Sequence, residues 1–312
     1  MVQYAPGGSM IRNVLVPLDR SPFAEQALPP AIAIARRAQA QLHILYVRTL
    51  SPPLAFQHVD WWADALLQEE ADYFEDVGRR VREAGIRPIV ETREGRVADV
   101  IRRHAANAGV DLIVMTTHGH TGLSRLWLGS VADAVVRQDS IPVLMIRPEE
   151  RPTALNEHPL YTHVLVPLDG VTSAETAIEY AVSLGSLAHA RYTLVRVVAP
   201  VMVPVHPYAF AGPAVRADDD ATATEVQQAR GYLEEQGARL ASTGLRVESK
   251  VHLSENAARG ILTVAHDLQA DLIAMCTHRH GAARFVLGST ADKVLRGSAL
   301  PLLLMHPRAL PA

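Results

Sequence analysis

The sequence has very little cysteine, no long apolar run and no strong net charge. Its single cysteine, Cys276, excludes a disulfide framework and favours a reducing cytoplasm. No apolar run approaches the ~18 residues that a membrane span needs, and residues 1–9 lack the apolar core of a signal peptide. A net charge of −3 gives no sign of the basic stripe that nucleic-acid binders carry. We therefore expect a cytoplasmic protein with neither a membrane nor a nucleic-acid partner.

Three familiar motifs are also missing. The chain contains neither GxxxxGKS/T nor GxGxxG, so the P-loop and Rossmann dehydrogenase classes have no support from motifs. No serine, histidine and aspartate follow one another with a nucleophile elbow. The sequence therefore points to no catalytic residue.

What the chain does contain is a second copy of itself. Three segments recur at offsets of 150, 160 and 159 residues; the first two pairs are identical in most or all positions, and the third keeps the same apolar pattern between two prolines. They are Val14–Asp19 with Val164–Asp169, Asp111–His118 with Asp271–His278, and Ile141–Pro148 with Leu300–Pro307. Repeats of solenoids run to only about 20–50 residues. This long period instead predicts two tandem domains, at residues 10–148 and 160–307.

Both copies predict strands that alternate with helices. Short apolar runs in the first copy predict strands at 14–18, 42–47, 86–91, 110–115 and 142–146, and apolar residues at helical spacing predict helices at 24–38, 60–84 and 97–106 and from Ser130 onward. Pro29 and Pro30 should bend or perturb the first helix. The second copy repeats this order around an insertion at Pro200–Asp220. The fold class is therefore α/β, with two doubly wound domains that each hold a five-stranded, parallel-type sheet flanked by helices.

Candidate binding residues follow the first and fourth strands. Ligands of open α/β sheets bind at the carboxyl ends of the strands, where the strand order reverses. Asp19 follows strand one there, and a loop with Gly119 and Gly129 leads from strand four to a helix that begins at Ser130. Glycines and a helix N-terminus can cradle a phosphate. The alternative is that the glycines only shape a turn while Asp19 and Ser130 cap helices.

These residues resemble the universal stress protein family, in its tandem form. The resemblance lies in Val-Pro-Leu-Asp-x-Ser after strand one, in Gly-x9-Gly-Ser after strand four and in the final Pro-Val-Leu-Met-Ile strand, and it covers both halves. It implies an adenine-nucleotide alpha-hydrolase-like fold and an ATP site, with Mg²⁺ held mostly by phosphate and water. The family's nucleotide loop reads Gly-x-x-Gly-x9-Gly-Ser/Thr, and Thr116 replaces its first glycine here. The implied site consists of Pro17, Asp19, Val47, Met115, Thr116, Gly119, Gly129, Ser130 and Val131.

The second copy departs further from the family's loop. Cys276 stands at the first glycine and Arg279 at the second, and the loop is one residue shorter. We read this half as a weaker site in a mainly architectural domain; the alternative is that Arg279 adapts it to a different anion. The weaker site would consist of Asp169, Val197, Arg279, Gly288 and Ser289.

Two further signals are weak. The pairs His118/His120 and His278/His280 recur, but no local carboxylate or thiol completes a four-ligand set in both copies, so we expect no metal site. Cys276 ends an apolar strand, which favours a buried, inert thiol over a nucleophile.

The function that the resemblance implies is regulation in the stress response. ATP bound in the first domain would bias a conformation or a partner surface. The alternatives are a slow ATP hydrolase and a structural stress protein that binds no nucleotide. Relatives dimerise through their last strand, so the strands at 142–146 and 301–305 are expected to pair within the chain as a pseudo-dimer. The sequence leaves a further homodimer open.

Overall fold

A computed structural model describes residues 10–49, 60–117, 128–138, 141–149, 153–205, 214–277 and 288–306. Of these, residues up to 160 together with 301–306 form one compact unit, and residues 161–300 form a second. The two units, called here the first and the second domain, are described separately.

The first domain is built on a sheet that holds the first five strands and the last strand of the chain. Its strands are β1 Asn13–Leu18, β2 Gln41–Arg48, β3 Ile89–Glu94, β4 Leu112–Thr116, β5 Val143–Ile146 and β12 Leu302–Met305. They lie in the order β3-β2-β1-β4-β5-β12. The first five are mutually parallel, and β12 runs antiparallel to β5. The expected pairing of the two final strands is therefore present.

Helices of the first domain follow from amphipathic stretches between these strands. They are α1 Leu28–Ala38, α2 Asp60–Glu83, α3 Val97–Asn107 and α4 Ser130–Gln138. The central strands are apolar along their length because helices cover both faces of such a sheet; β4 and β5 are buried at every position. The edge strand β3 is mostly exposed and polar.

The second domain repeats this order. Its strands are β6 His163–Pro167, β7 Arg191–Val198, β8 Met202–Val205, β9 Ala214–Ala217, β10 Arg246–Leu253 and β11 Leu272–Cys276, and its helices are α5 Thr176–Gly185, α6 Asp219–Ala241, α7 Ala257–Asp267 and α8 Ser289–Gly297. Four strands lie in the order β10-β7-β6-β11 with parallel pairing. Strands β8 and β9 form a separate antiparallel pair within the predicted insertion. The expected α/β, doubly wound class is confirmed.

Proline decides two boundaries in the first domain. The third strand begins at Ile89 rather than at the expected Ile86, because Pro88 has no N–H to donate to a ladder. Pro29 and Pro30 perturb the helix expected at 24–38, which consists of a 3-10 helix at Ala24–Ala27 and of α1, beginning at Leu28. The two prolines occupy the first turn of α1, where the missing N–H groups would have had no helical partner.

Candidate functional site

The strand order of the first domain reverses beside β1. Strand β1 pairs with β2 on one side and with β4 on the other, both in parallel. The chain therefore leaves β1 and β4 towards opposite halves of the sheet, which opens a crevice at their carboxyl ends. Asp19 follows β1 at this edge, and Thr117 follows β4.

A cavity of about 240 Å³ lies at this crevice. Eight of the nine residues predicted for the first site line it, and the ninth, Gly119, lies outside the described residues. The eight are Pro17, Asp19, Val47, Met115, Thr116, Gly129, Ser130 and Val131. Folding thus brings together residues that are up to 114 positions apart, from 17 to 131.

Asp19 is held in place by the turn that follows it. Its Oδ1 accepts hydrogen bonds from the backbone N–H of Ser21 at 3.0 Å and from the Ser21 hydroxyl at 2.6 Å. The Ser21 Oγ in turn accepts from the backbone N–H of Ala24 at 3.1 Å, at the start of a short 3-10 helix. These bonds fix the direction of the Asp19 carboxylate at the cavity rim.

The opposite rim is the start of α4. The Gly129 carbonyl accepts from the Asp133 N–H at 2.8 Å, and the Gly129 N–H donates to the Thr117 carbonyl at 2.8 Å. These bonds set the helix start against the end of β4. The first N–H groups of a helix have no carbonyl partner inside it and carry partial positive charge. Ser130 and Val131 supply such groups at the cavity.

The walls between these rims are apolar. Leu45 and Val47 of β2 face Val97 and Ile101 of α3 across the cavity, and Met115 lies on its β4 side. A slot with aliphatic walls and polar rims suits a flat ring that carries polar groups at its edge.

Sequence reasoning missed part of this wall. Leu45, Val97 and Ile101 line the cavity but were not among the predicted site residues. A signal for the two helical residues was present, because Val97 and Ile101 are one turn apart and lie on the same face of α3.

The second domain has a corresponding cavity of about 410 Å³. Four of the five residues predicted for the weaker site line it, and Arg279 lies outside the described residues. The four are Asp169, Val197, Gly288 and Ser289. Smaller residues stand in its wall than in the first domain, with Val195 at the position of Leu45 and Ala257 at that of Val97.

Two polar details distinguish the second cavity. Val171 stands where the first copy has Ser21. The Asp169 Oδ1 accepts from the Val171 backbone N–H at 3.0 Å, and valine has no hydroxyl with which to repeat the bond from Ser21. Cys276 lines the cavity and is 6% exposed, and burial raises the pKa of its thiol to about 12. A thiol with such a pKa is almost fully protonated at neutral pH and is a poor nucleophile.

The described residues offer no metal site and no membrane-spanning helix. No cluster of three or more histidine, cysteine, aspartate or glutamate side chains there could hold a metal ion. The recurring histidine pairs at 118/120 and 278/280 lie outside that part of the chain. Among the helices described, none combines the length and the apolar character needed to cross a bilayer.

The duplicated architecture agrees with a family relationship. The sequence profile of the universal stress protein family matches this chain twice, at residues 10–147 and 160–306. The chain belongs to the universal stress protein family.

Two relatives found by sequence each match about half of this universal stress protein. A universal stress protein from Methanocaldococcus jannaschii is 32% identical over 144 residues, which cover 45% of this chain and 85% of that protein. One from Bacillus subtilis is 30% identical over 148 residues, covering 44% of this chain and 100% of that protein. The crystal structure of a universal stress protein from Archaeoglobus fulgidus matches both halves, over 95% of this chain and 96% of that one, with a TM-score of 0.68 and 20% identity. At that identity the structural match supports the fold alone.

Proposed function

We propose that this protein is a stress-response regulator that binds an adenine nucleotide, ATP, in the cavity of the domain at 10–148. The observation that carries the proposal is that eight of the nine residues that the family resemblance implied line one cavity with the polarity that a nucleotide needs. The domain at 160–307 then has a mainly architectural role.

Each part of the cavity has a task in this proposal. The aliphatic walls at Val47 and Met115 take the adenine ring. The fixed Asp19 carboxylate accepts from a ribose hydroxyl or from the adenine amine. The start of α4 and the Ser130 hydroxyl point their donors at the phosphates. Mg²⁺ would be held mostly by phosphate and water.

Nucleotide binding would act by shifting a conformational equilibrium. A ligand can shift such an equilibrium only by its difference in affinity for the two states. Hydrolysis would need a general base or a group that orients water near the terminal phosphate. His118 or His120 could be placed there, but nothing in the sequence requires it and both lie outside the described residues, so we assign no catalytic residue.

The duplication supplies a matched experiment. Nucleotide-free protein is titrated with Mg-ATP by isothermal calorimetry, as wild type, Asp19→Asn and Asp169→Asn. Asparagine keeps an acceptor for the following N–H but loses the charge. A hydrogen bond to a charged group contributes about 1.5–3 kcal/mol, so Asp19→Asn should weaken binding about tenfold or more, whereas Asp169→Asn should leave it unchanged.

The stoichiometry decides between the alternatives. One site per chain, weakened by Asp19→Asn and abolished by Gly119→Arg, supports the proposal; that arginine is the residue of the second copy. Two sites, one sensitive to each asparagine variant, would show that the second domain binds nucleotide as well. An absence of binding at millimolar ATP would refute the proposal and leave a structural stress protein.

A further inference from the structure

Two buried histidines face each other in the first domain. His43 of β2 and His104 of α3 have ring centroids 5.3 Å apart in an edge-to-face arrangement. His43 is 7% exposed, and the His104 side chain is 8% exposed. The Nδ1 atom of His43 and the Nε2 atom of His104 are buried without a hydrogen-bond partner in the described part of the chain. Buried polar atoms of this kind call for an explanation, because most find a partner.

This pair, called here the histidine pair, continues the wall of the nucleotide cavity. Alternate residues of a strand lie on one face, so His43 shares a face of β2 with Leu45 and Val47. Residues three to four apart share a face of a helix, so His104 shares a face of α3 with Ile101 and Val97.

The four aliphatic residues line the cavity, and the histidines lie in contact at the next level below. A movement of α3 away from β2 at the histidine pair would therefore separate these aliphatic residues and widen the cavity.

The charges around the pair leave an added proton poorly compensated. The Glu91 carboxylate of β3 lies 3.9 Å from His104 Nδ1, and it also accepts a hydrogen bond from Arg93 at 2.5 Å. Burial lowers the pKa of His43, and His104 lowers it further while Glu91 opposes the shift. Burial also lowers the pKa of His104, with Glu91 opposing it and Arg93 adding to it.

The other elements around the pair add no further carboxylate to compensate the charge. On β1 the residue that pairs with His43 is the apolar Leu15. Arg103 and Asn107 of α3 line the same polar cleft as His104, and Arg103 is a second cation there. Glu94 of β3 also lines this cleft, and it is paired with Arg48 at 2.7 Å. On the neighbouring helix α4, Asp133 is already paired with Arg137 at 2.7 Å. Of the carboxylates in the described residues, Glu91 is the one within ion-pair distance of His104.

We propose that acidification regulates the nucleotide site of the first domain through the histidine pair: protonation of either ring drives α3 away from β2, opens the apolar wall and lowers nucleotide affinity. A buried imidazolium whose charge is only partly compensated is unfavourable until more water reaches it. Protons then favour the open state and the nucleotide favours the closed one, so each weakens the binding of the other. This inference rests on the proposed function, which assigns a nucleotide to the cavity of the first domain.

The second copy supplies the replacement residues. Thr193 and Val264 occupy the positions of His43 and His104 and are both buried, so threonine and valine are compatible with this packing. Thr193 makes a hydrogen bond of 2.9 Å to another histidine, His163, on β6. Because His163 itself titrates, the second domain supplies substitutions but is not a pH-insensitive control.

The first experiment measures Mg-ATP affinity at pH 7.5 and pH 5.5 by isothermal calorimetry. Wild type is compared with His104→Val, and with His266→Gln, a control at a histidine whose side chain is 92% exposed. The nucleotide's own titration is common to all three proteins, so the ratio of affinities is compared. We expect the ratio to be at least about fivefold larger in wild type and His266→Gln than in His104→Val, at the lower end of allosteric couplings. Equal ratios in wild type and His104→Val would overturn the proposal.

A second readout does not need the nucleotide. Amide hydrogen exchange across residues 97–107 is measured at both pH values without ligand, relative to the exchange of α1. We expect faster relative exchange of α3 at pH 5.5 in wild type, and no such change in His104→Val or in the independent variant His43→Thr. Unchanged relative exchange in wild type would refute the opening of α3. If ATP fails to bind at pH 7.5, the proposed function fails, while the exchange measurement still tests the histidine pair.

Discussion

Replacing Glu70 by glutamine should destabilise the first domain much more than the same change at its neighbour Glu69. Both glutamates of α2 form ion pairs with Arg20, but their side chains are 6% and 69% exposed. Glu70 also accepts from the Tyr46 hydroxyl at 3.1 Å and twice from Arg48, from Nε at 2.9 Å and from Nη2 at 2.5 Å. This network ties α2 to β2 and to the turn beside the cavity.

The magnitude follows from these contacts. Breaking a buried ion pair by removing one partner costs about 3–5 kcal/mol. The cost at Glu70 should be lower, because glutamine keeps one acceptor oxygen and because Arg48, 28% exposed, retains Glu94 at 2.7 Å. We expect a loss of about 2 kcal/mol, in line with hydrogen bonds to charged groups. The exposed Glu69 should contribute less than about 0.5 kcal/mol.

Urea unfolding at pH 7, followed by far-ultraviolet circular dichroism, measures both variants. With slopes of roughly 1–3 kcal/mol/M for domains of this size, Glu70→Gln should lower the midpoint of the first domain by about 1 M. Glu69→Gln should leave it within about 0.3 M of wild type. Equal shifts for the two variants would refute the idea that burial, and not the ion pair as such, makes Glu70 important.

Four further outcomes are expected. Gly185→Ala should cost about 1–3 kcal/mol of unfolding free energy, because its Cβ would lie 2.6 Å from the Tyr192 hydroxyl oxygen. Gly231→Ala, with no atom within 4 Å of a Cβ, should instead stabilise α6 by up to about 1 kcal/mol; urea midpoints of the two variants test both statements. Cys276, whose pKa burial raises to about 12, should react with a thiol reagent at pH 8 more than about 100-fold more slowly in native protein than in urea. Because burial lowers the pKa of His104 below its usual 6.5, the unfolded state binds more protons, so unfolding free energy should fall as pH drops below 6.5 and fall less steeply in His104→Val.

Much of the fold could be predicted from local pattern alone. Apolar runs and helical spacing identified the strands and helices of the first domain, and the internal repeat transferred them to the second. The errors occurred where one residue type decides a boundary. Pro88 delayed the third strand, and Pro29 with Pro30 moved the start of the α-helix from the expected residue 24 to Leu28. The effect of a proline depends on which turn of the helix it occupies. The spacing of the apolar residues does not reveal in which turn Pro29 and Pro30 lie.

Some residues of the candidate site could likewise be predicted from the sequence, and others could not. Residues at strand ends and at the start of α4 could be found from sequence order, because topology places strand ends together. The side wall at Val97 and the contact between His43 and His104 depend instead on how α3 lies across β2. His43 and His104 are 61 positions apart. The sequence of neither β2 nor α3, taken by itself, indicates that the two residues meet.

The pairing of β12 with β5 makes the first sheet depend on a strand that is synthesised much later than its partner. Leu304 pairs with Val143 across roughly 160 residues, so the ribosome must add that length of chain before this ladder can close. Until then β5, which is buried at all four positions in the native structure, is an open apolar edge of the kind that recruits other strands. Contacts of such long range also slow folding. The nascent first domain therefore passes through a period in which it can aggregate, and the arrival of the second copy's final strand ends that period.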